Sequence, residues 1–292
     1  MATQPTNEET VNQDSSTGKK ILLIVLRMAW LALAALLIAL FIAGMGPRVR
    51  ELSTVCTGDG CNWFAPSIAD ATFIQEAGFT LIQYAYFHQT LEVVSALAML
   101  ALAVVIFLGR FDDWFGILVS FTILLLGLNF MVEADNAFIN LHPAWHTPFE
   151  FLNFITAILF LLLLYLFPDG RFTPHATRYV AVLVFAIGMI DFLLSTMGAL
   201  TNILDLIGLS LYLASLALGL GAQVYRYRET SSPVQRQQTK WVLYGLVLFV
   251  VSMFSVAFFF ELLPSQSVRM RVLFNTIGFA ILLPIILIFP LT

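Results

Sequence analysis

The sequence predicts an all-α, polytopic membrane protein, a bundle of eight transmembrane helices with both termini in the cytoplasm. Its 292 residues are 60% hydrophobic and only 11% charged, whereas soluble domains carry about 25% charged residues. Eight apolar runs are each long enough to cross a hydrocarbon core of roughly 30 Å as a helix. No run shows the alternation of period two that a membrane β-strand requires.

The first 20 residues differ in composition from the rest of the chain. They are rich in Thr, Asn, Gln, Ser and Glu, and such a segment buries too little apolar surface to order itself. We therefore expect a disordered cytoplasmic tail over residues 1–20 and a transmembrane domain over residues 21–292, with an outer loop over residues 46–80. The predicted spans are 21–45, 81–109, 114–134, 148–167, 178–198, 203–225, 240–263 and 271–291.

The distribution of Lys and Arg predicts the orientation. With the amino terminus inside, ten of these residues lie on the cytoplasmic side and four on the outer side, which agrees with the positive-inside rule. The net charge of −4 gives no reason to expect nucleic acid binding, so the partner that composition predicts is the lipid bilayer. Arg27 is expected to snorkel to the inner surface. The outer residues are Arg48, Arg50, Arg269 and Arg271.

Both cysteines, Cys56 and Cys61, fall in the predicted outer loop. An oxidising compartment permits a disulfide there, and the intervening Thr-Gly-Asp-Gly is flexible enough to close a small ring. A zinc site is the alternative, but two thiolates without a nearby histidine make a poor one.

Polar and ionisable side chains concentrate in the predicted outer half of the membrane. Each ionisable group at mid-membrane costs about 2.5–3.5 kcal/mol, so it needs a partner or a function. On the second span such residues recur every four positions and form one stripe. The pattern favours a ligand-binding cavity that opens toward the outside. Its predicted lining is Tyr84, His88, Glu92, Asn129, Glu133 and Asp191.

The alternative is that these groups form interhelical hydrogen bonds, each commonly worth under about 1–2 kcal/mol. Hydrogen bonding is the simpler explanation for Asn129, Asn153 and Asn275. His88 and Glu92 form a titratable pair that is costlier to retain, and for them function and packing stay open.

Two histidines, His142 and His146, are four residues apart near several acidic residues, which raises the question of a metal site. The prolines around them argue against a shared helical face, so we expect no metal. The spacing of Thr147 and Glu150 is typical of a capping box that opens the fourth span.

The sequence shows no catalytic motif. It contains no nucleophile–base pattern, phosphate loop or metal-protease helix. Lys240, at a helix end, is poorly placed for a retinal Schiff base, and no two histidines lie at matching depth for a membrane haem. We expect neither an enzyme nor a cofactor-binding protein.

Two cytoplasmic connectors carry turn and cap signals. In Phe167–Arg171, Pro-Asp-Gly predicts a tight reversal with a positive φ at the glycine. In Ser232–Gln235, a capping Ser, a Pro and a Gln predict a helix start just before the seventh span. A simple reversal and ordinary positive-inside anchoring remain the alternatives to a coupling role. The predicted coupling residues are Asp169, Arg171, Arg236 and Lys240.

Two segments, Leu166-Phe-Pro-Asp-Gly-Arg-Phe172 and Ser232-Pro-Val-Gln-Arg-Gln-Gln-Thr-Lys-Trp241, together resemble the membrane region of bacterial sensor histidine kinases. Gly46-Pro-Arg48 and the turn Gly109–Trp114 add to the resemblance, which covers roughly residues 21 to 285. It implies a multi-span sensor input in the bacterial cytoplasmic membrane, placed before a cytoplasmic kinase. No kinase residues follow the last span, so we expect an input module that lacks its own catalytic output.

Two functions fit these observations. The chain is either a sensor input module that a cytoplasmic kinase or another partner reads, or a noncatalytic accessory subunit within a larger membrane complex. Homodimerisation is a further assembly that the sequence leaves open.

Overall fold

The computed structural model describes residues 7–57, 65–130, 133–167, 170–196 and 202–229, and every regular element in these ranges is helical. The predicted all-α class is confirmed for this part of the chain. A π-helical turn, Leu126–Phe130, continues α4, and a 3-10 turn, Pro143–Trp145, precedes α6. The helices are α1 (Asn7–Ser53), α2 (Ile68–Glu76), α3 (Leu81–Gly109), α4 (Trp114–Leu125), α5 (Ala134–Leu141), α6 (His146–Leu166), α7 (Thr177–Thr196) and α8 (Asn202–Glu229).

Five described helices are long and apolar enough to cross a bilayer, and a bent pair supplies a sixth candidate. They coincide with the first six predicted spans, so this is a multi-pass membrane protein. The predicted spans 240–263 and 271–291 lie outside the described residues, and the count of eight and the sidedness stay predictions. The five are Lys20–Ser53, Leu81–Gly109, Pro143–Leu166, Thr177–Thr196 and Ile207–Arg226, and the bent pair is Trp114–Asn129 with Ala134–Leu141.

The first helix extends beyond its predicted span at both ends. α1 begins at Asn7, inside the segment that was expected to be disordered, and ends at Ser53, inside the expected outer loop. Residues 7–17 contain neither Gly nor Pro, and extending an existing helix costs less than starting one. At the other end, burial of Arg48 and Leu52 to 2% and 1% exposure gives the extra turns tertiary contacts.

The expected outer loop also contains α2, which begins with a reciprocal cap. The Ser67 backbone N–H donates to the Asp70 carboxylate at 2.8 Å, and the Asp70 backbone N–H donates to the Ser67 hydroxyl at 3.3 Å. Thr80 and Gln83 cap α3 in the same way. These are the capping boxes of the described chain, and each satisfies two backbone donors at a helix start.

The capping box predicted for Thr147 and Glu150 is wrong. α6 begins at His146, and Trp145 at its cap makes no side-chain cap bond. The 3-10 turn at Pro143–Trp145 leads directly into the helix, so the helical chain starts before Thr147.

The main core lies where α1, α3, α4 and α6 meet. Leu37, Leu124 and Leu164 are completely buried in it. A small residue on α3, Ala103, lets α4 approach so closely that the Ser120 hydroxyl donates to the Ala103 carbonyl at 2.7 Å. Close contacts at small residues and interhelical hydrogen bonds are typical of membrane helix packing.

The helices α7 and α8 pack against each other and against α6. Two tyrosines tie α8 to α6: the Tyr165 hydroxyl donates to the Ser215 carbonyl at 2.7 Å, and the Tyr212 hydroxyl donates to the Ala157 carbonyl at 3.3 Å. This three-helix group forms the second half of the described bundle.

The fourth candidate span is broken. After α4 and its π-helical turn, α5 leaves at an angle of 64°. π-helical turns occur frequently at functional sites. A bend inside a membrane is tolerated where protein covers the freed backbone, and here α5 packs along α1.

The contact between α1 and α5 is closest at Gly44. A Cβ atom built on Gly44 would overlap the Ala134 carbonyl oxygen, so no side chain fits there unless the backbone moves. Gly46, two residues further along α1, has no described atom within 4 Å of such a Cβ.

We therefore expect Gly44→Ala to lower the free energy of unfolding by about 1–3 kcal/mol, because the added methyl forces α1 and α5 apart. Reversible unfolding in mixed micelles, followed by far-ultraviolet circular dichroism, measures this loss. Gly46→Ala is the matched control and should be neutral or slightly stabilising. Equal effects of the two substitutions would contradict the close contact.

Candidate functional site

A buried ion pair joins α1 to α3. The Arg48 Nε donates to Glu92 Oε1 at 3.2 Å, and Arg48 Nη1 donates to Glu51 Oε2 at 2.9 Å. The side chains of Arg48 and Glu92 are 3% and 1% exposed. A guanidinium this deeply buried requires such partners, because its desolvation costs several kcal/mol.

Two further carboxylates, Glu133 and Asp135, lie where the fourth span breaks. Glu133 interacts electrostatically with Arg48 and accepts a hydrogen bond from the Asn136 side chain at 2.7 Å. Asp135 is 1% exposed and interacts electrostatically with Glu133. We call this group the Arg48 cluster. Its members are Arg48, Glu51, Glu92, Glu133 and Asp135.

The polar stripe predicted on α3 faces this cluster. The Tyr84 and His88 rings lie 4.4 Å apart, and His88 is 3% exposed. Gln89, on the same face, is buried, and neither atom of its amide has a hydrogen-bond partner among the described residues. Glu92 is paired with Arg48, a residue that the orientation argument had placed in the outer loop.

A second polar site begins on the other side of the break. In the π-helical turn, the Asn129 Nδ2 donates to Asn153 Oδ1 of α6 at 2.6 Å and lies 3.5 Å from the Thr156 hydroxyl. Asn129 and Thr156 are 4% and 1% exposed. The bond fixes the π turn against α6 inside the bundle.

Asn153 also lines a cleft of about 380 Å³ between α6, α7 and α8. Polar residues gather where α6 begins and α7 ends: Glu150 and Asn153 on α6, Asp191 and Ser195 on α7. The remaining walls are aliphatic and aromatic. The cleft thus combines an apolar body with a polar end, as sites for small molecules do.

The predicted cavity residues therefore divide into two sites. Glu92 and Glu133 belong to the Arg48 cluster, and Tyr84 and His88 flank it on α3. Asp191 lines the cleft, and Asn129 bonds to Asn153 in the lining of the cleft. The broken span connects the two sites, because Asn129, which bonds to Asn153, precedes the break and Glu133 follows it. Sequence reasoning missed Arg48 because Gly46-Pro47 resembles the end of a helix. A signal was present in Leu52, an apolar residue four positions after Arg48 that continues the buried face.

The histidines considered for metal binding have other contacts. The His142 ring packs against Phe138 with 4.6 Å between centroids, and His146 Nδ1 lies 3.4 Å from Glu150 Oε1. Within the described residues, no three His, Cys, Asp or Glu side chains form a group that could hold a metal ion.

Of the predicted coupling residues, Asp169, Arg236 and Lys240 lie outside the described residues. Arg171 is described, and its backbone carbonyl accepts a hydrogen bond from the Arg226 guanidinium of α8. Gly170 has the positive φ of 71° that the turn motif predicts.

Arg226, one of the ten basic residues assigned to the cytoplasmic side, is 4% exposed and also donates to the Phe167 carbonyl. Gln223, one turn earlier, donates to the same carbonyl at 2.9 Å. Together they attach the end of α8 to the connector after α6. Their spacing of three residues on one helical face was the available signal.

Comparison with known proteins gives no match for this chain: no family model, no curated protein and no solved structure is similar to it.

We expect Arg48→Gln to destabilise the protein by about 3–5 kcal/mol, because it leaves buried carboxylates without their cation. Glu92→Gln should cost less, since Arg48 keeps Glu51. Unfolding in mixed micelles measures both changes. Arg50→Gln is the matched control, because Arg50 is exposed on the same helix and should contribute little. A larger cost for Glu92→Gln than for Arg48→Gln would contradict the central role of the arginine.

Proposed function

We propose that the protein is a sensor, or signal-input module, of the bacterial cytoplasmic membrane. An outer or lipid-dissolved ligand occupies the cleft, the helices around the break shift, and a cytoplasmic kinase or another partner reads the shift. The observation that carries this proposal is the position of the break. On one side of it Asn129 binds Asn153 at the cleft, and on the other Glu133 belongs to the Arg48 cluster.

The π-helical turn is the element that a ligand would bias. A ligand group that approaches Asn153 Oδ1, through a hydrogen bond or a positive charge, competes with Asn129 for that oxygen. Its binding free energy then favours the arrangement in which the Asn129 bond is broken. Release of Asn129 moves the start of α5. Because Gly44 contacts Ala134 so closely, α1 must move with α5.

A shift of α1 reaches a connector through Arg27. Its Nη2 donates to the Phe111 carbonyl at 2.8 Å and to Asp112 Oδ1 at 2.7 Å, and its guanidinium lies 3.5 Å from the centre of the Phe111 ring. The connector before α4 touches the one after α6, since Trp114 packs beside Gly170.

We place the partner's docking surface at these connectors. Asp169 and Arg171 would contribute from the connector after α6, and Arg236 and Lys240 from the predicted surface helix before the seventh span. Arg226 and Gln223 would carry movement of α8 to the same surface.

The alternative function is a noncatalytic accessory subunit, for which the surface of α7 would supply a contact face. Only 11% of the apolar window of Thr177–Thr196 is buried among the described residues, the lowest share of the five spans. Such a surface fits lipid or the helices of another membrane subunit equally well.

Copurification separates the two functions. The tagged full-length chain is isolated from bacterial membranes in mild detergent, and its partners are identified and quantified by mass spectrometry. A stoichiometric kinase or response regulator supports the sensor. Stoichiometric membrane enzyme subunits, without a signalling protein, overturn it in favour of the accessory subunit.

Once a partner kinase has been identified, Asn129→Leu should change its autophosphorylation by about fivefold. The reason is that loss of one interhelical hydrogen bond of roughly 1 kcal/mol shifts a two-state equilibrium by that factor. Thr122→Val is the matched control. Thr122 is buried on the same span, and among the described residues its hydroxyl bonds only to the Leu118 carbonyl of α4, at 2.9 Å. An unchanged Asn129→Leu response would contradict the role of the π turn.

We also propose a disulfide between Cys56 and Cys61. Cys61 lies outside the described residues, and Cys56 follows α1, where its backbone N–H donates to the Pro66 carbonyl at 2.9 Å. This hydrogen bond holds Cys56 close to Pro66, and Cys61 lies in the segment between these two residues. Peptide mapping under non-reducing conditions should recover the linked peptides, whereas alkylation of both thiols in the denatured, unreduced protein would exclude the disulfide.

A further inference from the structure

We propose that the cleft between α6, α7 and α8 binds a lipophilic cation, a small molecule with an apolar body and one ammonium- or phosphonium-type charge. This inference rests on the proposed sensor function for its biological role, whereas the binding itself is tested without any partner. Four properties of the cleft lead to this ligand class: size, charge, aromatic lining and access.

The size of the cleft suits a small organic molecule. Its volume of about 380 Å³ falls within the range of about 300–1,000 Å³ that is typical of small-molecule sites. Gly188 lets the Phe154 ring lie close to α7, and Gly208 leaves the α8 side of the cleft open. A Cβ on Gly188 would lie 2.6 Å from the Phe154 ring, and one on Gly208 would lie 3.9 Å from Asp191 Oδ2.

The charged side chains of the described lining are both acidic. Glu150 and Asp191 line the polar end, and no Lys or Arg is among the described residues that line the cleft. His146, the titratable neighbour of Glu150 at 3.4 Å, lies at the outer edge with 63% of its side chain exposed. An anionic ligand would add charge of the same sign inside a region of low dielectric constant, where such repulsion is strong.

Aromatic rings supply the second recognition element. Phe154 and Phe192 both line the cleft, with centroids 6.4 Å apart and planes inclined by only 14°. The face of an aromatic ring attracts a cation within about 6 Å, more strongly where water is excluded. Quaternary cations, which cannot donate hydrogen bonds, are bound in this way.

A metal ion does not fit this lining. No three described His, Cys, Asp or Glu side chains are grouped closely enough to hold one, and phenyl rings offer no lone pairs. Access also favours an organic cation, because α7 presents exposed apolar residues such as Ile190 and Leu193 beside the cleft. A ligand dissolved in the bilayer would reach the site along this face.

The test uses tetraphenylphosphonium as the probe and tetraphenylborate, which has nearly the same shape and the opposite charge, as its control. Full-length protein is reconstituted in nanodiscs of zwitterionic lipid, and equilibrium binding is corrected with empty nanodiscs. We expect saturable binding of the cation and none of the anion. Preferential binding of tetraphenylborate, or no saturable binding of either ion, would overturn the proposal.

Two variants locate the binding. Asp191→Asn should weaken cation binding about ten- to hundredfold, the range expected for loss of a charged partner. Gly208→Val keeps both carboxylates but fills the cleft, and it should also abolish saturable binding. Asp112→Asn, at a carboxylate that is 93% exposed on a distant connector, is the control. If Asp191→Asn fails to fold, Glu150→Gln takes its place, and unchanged affinity in the cleft variants would refute the site.

The outcomes separate this inference from the proposed function. If the cation binds and no signalling partner copurifies, the site stands and the sensor fails. If a kinase copurifies and its phosphorylation depends on Asn129 while the cation does not bind, the sensor stands and the ligand class is wrong.

Discussion

The burial of Arg48 is the interaction on which the rest of the described structure depends. A guanidinium inside a helix bundle is tolerated only when carboxylates reach it with good geometry. Glu51, on the same helix, supplies one contact, and Glu92, on α3, supplies the other. The second contact fixes the rotation of α3, since the face that carries Glu92 must point toward α1. The break in the fourth span then brings Glu133 and Asp135 to the same place, and α5 covers the group.

The two polar sites differ in the surroundings of their charged side chains inside the membrane. In the Arg48 cluster, charges face one another inside protein. In the cleft, Glu150 and Asp191 line a cavity that also contains aromatic rings. The first arrangement suits structure and coupling between helices, and the second suits a ligand. Both depend on the π-helical turn, because Asn129 fixes its position against α6. A uniform α-helix from Trp114 to Leu141 could not present Asn129 and Glu133 to sites on opposite sides of the break.

The number and place of the first six spans followed from apolar length alone, because the bilayer imposes one thickness on every helix that crosses it. The stripe on α3 was also readable, since polar residues every four positions share a helical face. Leu52 hinted that α1 continues through Gly46-Pro47, but the sequence could not show that Arg48 is buried, because Glu92 belongs to a helix distant in the chain. Nor could it divide the polar residues between a closed cluster and an open cleft, a distinction that depends on how α7 and α8 pack on α6. The bend of 64° results from the same tertiary contacts.

The length of α1 turns the contact at Gly44 into a pivot close to one end of a long rod. At 1.5 Å per residue, the helix between Gly44 and its first residue, Asn7, measures about 55 Å. A tilt of about 5° at that pivot displaces the far end by about 5 Å, roughly the pitch of one helical turn. Arg27 holds the rod partway along its length, at the connector before α4, and so limits the tilt. A larger tilt of α1 would have to displace the connector before α4 as well.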